Sequence, residues 1–375
     1  MPYRIEEART TKSLRQFLKF PYRFYQPDHH WVPPLLREQK QWILHKNTPL
    51  FSDNPHAFFL CKTGKRVVGR VAVAEDRSLR QKRDRNIAYF TFLEGENDSE
   101  IFRQLMAAVE EWARQRGLDG VQGPVSPTKG DDFRGLMILG FHKTPVLMDS
   151  YNPRYYQHHL EDLGYRKKID LFAYYYDLHK IDFTRRMKVL QYAQKRYGFQ
   201  IDRFNKQQLE KEARDIKTII DTAMPPDWTD LVPPPLEEIL EMAQRLKRFA
   251  DPDLVLIARD ESGQPIGFNV ALPDYNSVFR HLNGRLGPIG LCKYLYYRRK
   301  IRGGRSFIMF VVPEYRKKGV AQGLYLTALR NGFNKGYTYG EGSTIGEENI
   351  PMRRDAEKIG GRHYKSYRIY YKSLS

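Results

Sequence analysis

Two stretches in the second half of this 375-residue chain carry side chains whose types and spacing could do chemistry. The first is Arg316-Lys317-Lys318-Gly319-Val320-Ala321, three cations and a glycine. It follows an apolar run, Ile308 to Val312, that predicts a strand ended by Pro313. It precedes Leu324, Ala328, Leu329 and Phe333, which recur on one face of a predicted helix. Strand, basic glycine turn and helix present an anion with free N–H groups and a positive dipole end, and a glycine lets the backbone approach closely. A phosphate-bearing ligand fits that chemistry. The stretch is not a P-loop, because no Gly-Lys-Ser/Thr follows, and its glycine spacing is not that of a dinucleotide fingerprint.

The second stretch is Tyr337 to Gly361. Glu341, Ser343 and Glu347 fall on one face if the strand that ends near Ile345 continues. A carboxylate there can act as a general base, directly or through water, with Glu341 the first candidate and Glu347 the second. Both can equally pair with Arg353, Arg354 or Arg362. Asn349 is placed to cap the next helix, and Pro351 suits its first turn.

Together these residues resemble the acyl-CoA site of the GNAT superfamily of N-acetyltransferases. The family's loop reads Arg/Gln-x-x-Gly-x-Gly/Ala between a strand and a helix, and Arg316 to Ala321 fits it, as does the preceding Val311-Val312-Pro313-Glu314-Tyr315. The resemblance implies that Arg316, Lys317, Lys318, Gly319, Val320 and Ala321 bind the CoA pyrophosphate. It also implies that Asn349 lies beside the pantetheine arm and that backbone N–H groups near Val311 stabilise the oxyanion of the thioester. A neutral amine then attacks the acyl group directly, with no covalent enzyme intermediate. One family feature is missing. The tyrosine that protonates the departing thiolate four residues before the helix-ending glycine is replaced by Ala356, and by Leu160 in the first half.

The elements that must position these groups repeat along the chain. LIARDESGQPIGFNVALPD parallels FLCKTGKRVVGRVAVAED, and RDAEKIGGRHYKSYRIYYKSL parallels HLEDLGYRKKIDLFAYYYDL. A repeat at domain length predicts two tandem GNAT-like domains, 1–180 and 181–375, each a mixed α/β fold with a mostly antiparallel central sheet flanked by helices. In the first half, Glu94-Gly95-Glu96-Asn97-Asp98-Ser99-Glu100 stands where the basic loop should be. Four carboxylates repel a pyrophosphate, so that half is expected to be a degenerate scaffold or acceptor-side wall. Gly123 to Asp149, rich in Gly and Pro, is a candidate wall of an acceptor pocket, and Pro225 to Pro235, with Trp228, is a proline-rich connector.

The formal net charge is +19, and between Ser277 and Arg330 there are twelve Lys/Arg against one carboxylate, Glu314. A field so concentrated suits CoA phosphates, an acidic carrier protein, an anionic lipid surface or RNA. Within it, Leu286 to Tyr297 followed by Arg298, Arg299 and Lys300 sets an apolar-aromatic run beside cations. No 18-residue apolar run, no apolar signal core and only Cys61 and Cys292 predict a cytoplasmic protein without disulfide framework, zinc site or other metal. His142, His158 and His159 lack partners in a metal or triad pattern.

The expected activity is transfer of an acyl group from acetyl-CoA or another acyl-CoA to an amine. Two other readings fit the same residues: a tandem GNAT-like transferase that uses aminoacyl-tRNA, and a non-catalytic sensor of acyl-CoA or lipid.

Overall fold

The computed structural model describes residues 2–26, 28–130, 132–225, 232–247 and 250–374; Trp228 lies outside them. In chain order the first part runs β1 (Tyr3–Glu7), α1 (Thr11–Phe24), α2 (Leu36–Ile43), β2 (His56–Thr63), β3 (Arg66–Glu75), α3 (Arg77–Arg83), β4 (Ile87–Gly95), α4 (Ser99–Arg114), β5 (Gly120–Gly123), β6 (Leu136–Leu139), α5 (Tyr155–Asp162) and β7 (Arg166–Asp177). There follow α6 (Phe183–Tyr197), β8 (Phe199–Arg203), α7 (Leu209–Ala223), α8 (Leu236–Leu246), β9 (Val255–Asp260), β10 (Pro265–Pro273), α9 (Asn276–Phe279), α10 (Pro288–Arg298), β11 (Gly303–Val311), α11 (Val320–Asn334), β12 (Tyr339–Gly346), α12 (Ile350–Ile359) and β13 (Arg362–Ser373).

The chain forms two compact units, and each draws on both halves of the sequence. The first comprises Met1–Leu171, Asn276–Arg298 and Lys365–Ser375; the second comprises Phe172–Tyr275 and Arg299–Tyr364. In the first unit the strand order is β1-β2-β3-β4-β5-β13, with β6 also on β13. Every recorded pairing there is antiparallel except β4 with β5. β6 falls within the Gly- and Pro-rich stretch Gly123 to Asp149, and β5 ends where that stretch begins. Each is only four residues long; β6 becomes a strand by pairing with β13, far away along the chain, and β5 by pairing with β13 on one edge and β4 on the other.

β3 runs through the middle of the first unit's core. Nearly all of Arg66–Glu75 is buried, because both faces are covered. Val68, Val71 and Val73 pack with Ile101, Leu105 and Val109 of α4. Val67, Ala72 and Ala74 pack with Leu14, Phe17 and Leu18 of α1. A strand apolar on both faces needs helices on both sides.

In the second unit the order is β7-β12-β11-β10-β9-β8, with its apolar core running through Ile257, Phe268, Val320, Leu324, Tyr325 and Leu329. β11 with β12 is the parallel pair; β8 with β9, β9 with β10 and β10 with β11 are antiparallel.

Candidate acyl-CoA site

The site sits where two parallel strands part company. β11 pairs with β12 from Gly303–Tyr339 to Ser306–Gly342. Past that point β11 runs on to Val311 paired with β10 alone, and β12 runs on to Gly346. A bulge in β11 at Phe307, opposite Val270 and Ala271 of β10, marks the divergence, as bulges commonly do next to sites. Val312 N–H donates to Ile266 O at 3.0 Å, across to β10. Since successive residues of a strand point their amides to opposite edges, Val311 N–H points away from β10, into the opening.

Beyond β11 the chain makes a short turn over Pro313–Tyr315 and enters α11 with Lys317 at φ 63° and Gly319 at φ 86°. Both lie in the left-handed region, which glycine adopts without steric cost. Gly319 is the N-cap of α11, and no side chain caps the helix. The first-turn N–H groups and the dipole end are therefore available to an anion.

The cations of the basic loop point to different partners. Lys317 is exposed, and Lys318 Nζ lies 4.6 Å from the centre of the Tyr315 ring. Arg316 turns to the protein instead: its Nη2 donates to Ala223 O at 2.7 Å, and its Nε to Val311 O at 3.3 Å. Its guanidinium ties the loop to the end of α7. Val320 is fully buried and Ala321 packs on the core, so each can offer only its backbone. Gln322, which sequence reasoning missed, donates from Nε2 to Asp355 Oδ1 at 2.8 Å and joins the first turn of α11 to α12.

The first unit has the same frame, closed. Glu96 N–H donates to Val68 O at 3.0 Å, which makes Gly95 the counterpart of Val311. Gly95 N–H donates to the Tyr156 hydroxyl, and the Tyr155 hydroxyl donates to Gly95 O, both at 2.8 Å. Asp98 caps α4, accepting from Glu100 N–H at 2.8 Å, and accepts from the Tyr3 hydroxyl at 2.7 Å. Glu94 pairs with Arg70 at 2.6 Å and Glu96 with Arg66 at 2.8 Å. The chain's own hydroxyls and carboxylates occupy this frame. The acidic loop was legible; the two tyrosines were not, because they reach Gly95 from α5.

Glu341 and Glu347 come apart. β12 ends at Gly346, so Glu347 is in the turn before α12 rather than on the strand face, and its carbonyl accepts from Arg353 Nη1 at 2.9 Å. Glu341 is buried, 1% exposed, opposite Arg305 in the parallel register. Ser343 Oγ donates to its Oε1 at 2.5 Å, the Tyr364 hydroxyl donates to Oε2, and Arg305 Nε donates to Ser343 Oγ at 2.7 Å. Arg305 Nε is 3.7 Å from Glu341 Oε1. Arg305 entered the sequence reading only as one cation of the basic stretch, and Tyr364 was not singled out at all; an arginine directly after a Gly-Gly and a tyrosine in an aromatic strand carry no local signal of a shared carboxylate.

Glu341 lines a cavity with Ser306, Tyr325, Tyr337, Tyr339 and Gly340. Burial pushes the Tyr325 phenol well above its ordinary value, and Tyr339, which donates to Asp274, likewise. Both stay neutral donors at physiological pH. Asn349 caps α12, accepting from Met352 N–H at 3.2 Å, and is exposed. Ala356 is fully buried and offers no acid.

No group of three or more His, Cys, Asp or Glu that could hold a metal occurs among the described residues. His159 Nε2 is 3.0 Å from Asn97 Oδ1 and its ring stacks on Phe102, while His158 faces Asp162 at 3.2 Å. No helix among the described residues is long and apolar enough to cross a membrane.

Comparison with known proteins agrees with this geometry. Residues 214–360 match the family model described as the acetyltransferase (GNAT) family. The chain is 31% identical over 369 residues to Protein YghO of Escherichia coli (strain K12), covering 96% of this chain and 93% of that protein. It is 29% identical over 381 residues to the bacterial ceramide synthase of Caulobacter vibrioides (strain NA1000 / CB15N), covering 98% and 96%. A solved tandem GNAT protein from the clavulanic acid biosynthesis pathway superposes with a TM-score of 0.59 over 100% of this chain and 99% of that one, at 12% identity, a likeness of fold alone. With a relative alike over nearly its whole length, a family match across its uncapped loop and a tandem fold from end to end, this chain belongs to the GNAT acetyltransferase family, as a tandem GNAT-like protein.

Proposed function

We propose that the protein is an acyl-CoA-dependent N-acyltransferase with one working site, in the second unit. The observation that carries this reading is the contrast at equivalent positions. The Gly319 end of α11 has no side-chain cap, whereas Asp98, Tyr155 and Tyr156 close the first unit. In the second unit the pyrophosphate sits on the amides of Gly319, Val320 and Ala321, with Lys317 and Lys318 adding charge. The pantetheine arm follows the opening past Asn349, and the thioester carbonyl meets Val311 N–H.

The amine nitrogen attacks the thioester carbonyl carbon, the C–N bond forms and the C–S bond breaks. The amine gives up a proton through Ser343 or Tyr364 to Glu341, whose two oxygens already accept from those hydroxyls. Arg305 keeps the buried carboxylate compensated. With Ala356 in place of a tyrosine, the leaving thiolate takes its proton from water or from the same network. Glu347 is a second, less favoured base.

The acceptor we favour is a long-chain amino alcohol, the class whose N-acyl product is a ceramide, because a relative alike over nearly the whole chain is named for that product. The reaction runs in the cytoplasm, where CoA thioesters are made; the free Cys61 and Cys292 agree with a reducing compartment.

The test is thiol release from acetyl-CoA and from long-chain acyl-CoAs, offered with short amines and with long-chain amino alcohols, and mass spectrometry of the amide product. Amide formed only with the long-chain amine supports the reading. CoA binding without any amide would favour the sensor reading, for which the missing tyrosine at Ala356 is the specific observation.

A further inference from the structure

α10 is built inside out. At about 100° per residue, Gly290, Tyr294 and Tyr297 share its inner side; they are part-buried, and the Tyr297 ring stacks on His281 at 3.8 Å between centres. The outer side holds Leu291, Leu295, Cys292, Tyr296 and Ile289 in an arc of about 160°. Ile289 is 76% exposed, Tyr296 56%, and Leu291 and Leu295 50% each, and no residue of the helix is buried. Leu286, just before the helix, is exposed as well. A helix packed on a protein ordinarily turns such residues inward and its charges outward.

The charges are arranged around this face rather than on it. Lys293 borders the arc just beyond Ile289, and Arg298 borders it just before Leu291. Arg280 and Arg285 precede the helix, Arg299, Lys300 and Arg302 follow it in sequence, and no carboxylate occurs between Asp274 and Glu314. An apolar arc rimmed by cations on long stems is the pattern of a helix lying in the headgroup plane, with side chains in the acyl boundary and cations at the phosphates. The helix spans 11 residues, about 16 Å, so it lies on a bilayer and cannot cross one.

We propose that α10 docks the protein on an anionic bilayer surface, with Ile289, Leu291, Leu295 and Tyr296 inserted and Lys293 and Arg298 at the headgroups. The charge chooses the occupant: a protein groove for Leu and Ile needs no ring of cations, and an anionic surface does. The docking is separate from acyl transfer, and its test does not read activity.

Cys292 sits on the outer face and is exposed, whereas Cys61 is fully buried, so a thiol-reactive, polarity-sensitive dye labels position 292. The labelled full-length protein is titrated with phosphatidylcholine vesicles and with vesicles carrying 30% phosphatidylglycerol, alongside sedimentation of the unlabelled protein. Expected are a blue-shifted, saturable signal and co-sedimentation with the anionic vesicles. Binding should be tenfold or more weaker on neutral vesicles or in 0.5 M salt, and tenfold or more weaker for I289E/L295E and for K293E/R298E, with circular dichroism and CoA binding unchanged in both variants. Equal binding to neutral and anionic vesicles, or binding untouched by I289E/L295E, overturns the proposal. So does the absence of vesicle binding together with a concentration-dependent dimer that I289E/L295E abolishes, which would assign the face to a second copy of the chain.

Discussion

Replacing Gly319 tests the acyl-CoA site at its most exacting position. Its φ of 86° belongs to the left-handed region, where an L side chain costs about 1–2 kcal/mol. A Cβ there would sit 3.3 Å from the Ala193 Cβ, tight but without a backbone clash, so the folded protein should survive Gly319→Ala. To shed strain, the loop rotates toward negative φ and swings the amides at the start of α11 off their common target. Each hydrogen bond to a charged group is worth about 1.5–3 kcal/mol, so losing one lowers CoA affinity about 10- to 150-fold. Gly319→Val adds bulk beside the pyrophosphate and should be at the upper end. Lys317 and Lys318 act through flexible, solvent-screened stems, so Lys317→Ala or Lys318→Ala should each cost about 1 kcal/mol or less, about fivefold. Arg316→Lys keeps the charge but loses the fork that holds Ala223 O and Val311 O, and should lower the melting temperature more than it weakens binding. The assay is calorimetric titration with CoA at fixed ionic strength, beside thermal unfolding of each variant. A folded Gly319→Val protein that binds CoA like the parent would refute the reasoning, since the amides would then not be what holds the ligand.

Asn349→Ala removes the cap of α12, about 1 kcal/mol of stability, and should raise KM for acyl-CoA by more than that loss explains; a lower melting temperature with unchanged KM would leave the residue a cap only. Tyr364→Phe takes one hydroxyl from Glu341 and should cut kcat severalfold with CoA affinity intact, while Glu341→Gln should cut kcat about 100-fold and also lower stability by stranding buried Arg305; full activity in both variants would end the proton-relay reading. His159 is held below its ordinary pKa by burial, with the His158 charge adding to it. The native state refuses a proton that the unfolded chain accepts, so its contribution is present above the unfolded value near 6.5 and is lost as pH falls toward the depressed folded value. Denaturant midpoints from pH 7.5 to 5 should fall for the parent and fall less for His159→Gln; equal slopes would remove His159 from the account.

The sequence by itself determined the local units of this protein. An apolar β-branched run closed by Pro313, three cations, a glycine and a helical spacing specify strand, turn and helix through short-range sterics, and those elements formed where the pattern put them. Asn349 and Asp98 cap the helices they precede, because capping needs only two or three residues of chain. The acidic Glu94–Glu100 loop was legible for the same reason.

What only the tertiary structure decided concerns residues far apart in the chain. β6 is a strand because β13 arrives from more than 200 residues away to pair with it, β5 is held between β13 and β4, and four residues carry too little periodicity to declare a strand alone. Tyr155 and Tyr156 close Gly95, and Tyr364 and Arg305 surround Glu341, through contacts that no spacing encodes. Arg316 fits the loop motif by type, and its fork donates to two backbone carbonyls, one of them 93 residues away in the chain, a partner that no local spacing encodes. Glu347 lost its place beside Glu341 because β12 stops one residue short of it. Residue type limits which chemistry a side chain can do, and the partners that folding brings within hydrogen-bonding distance decide which of those it does.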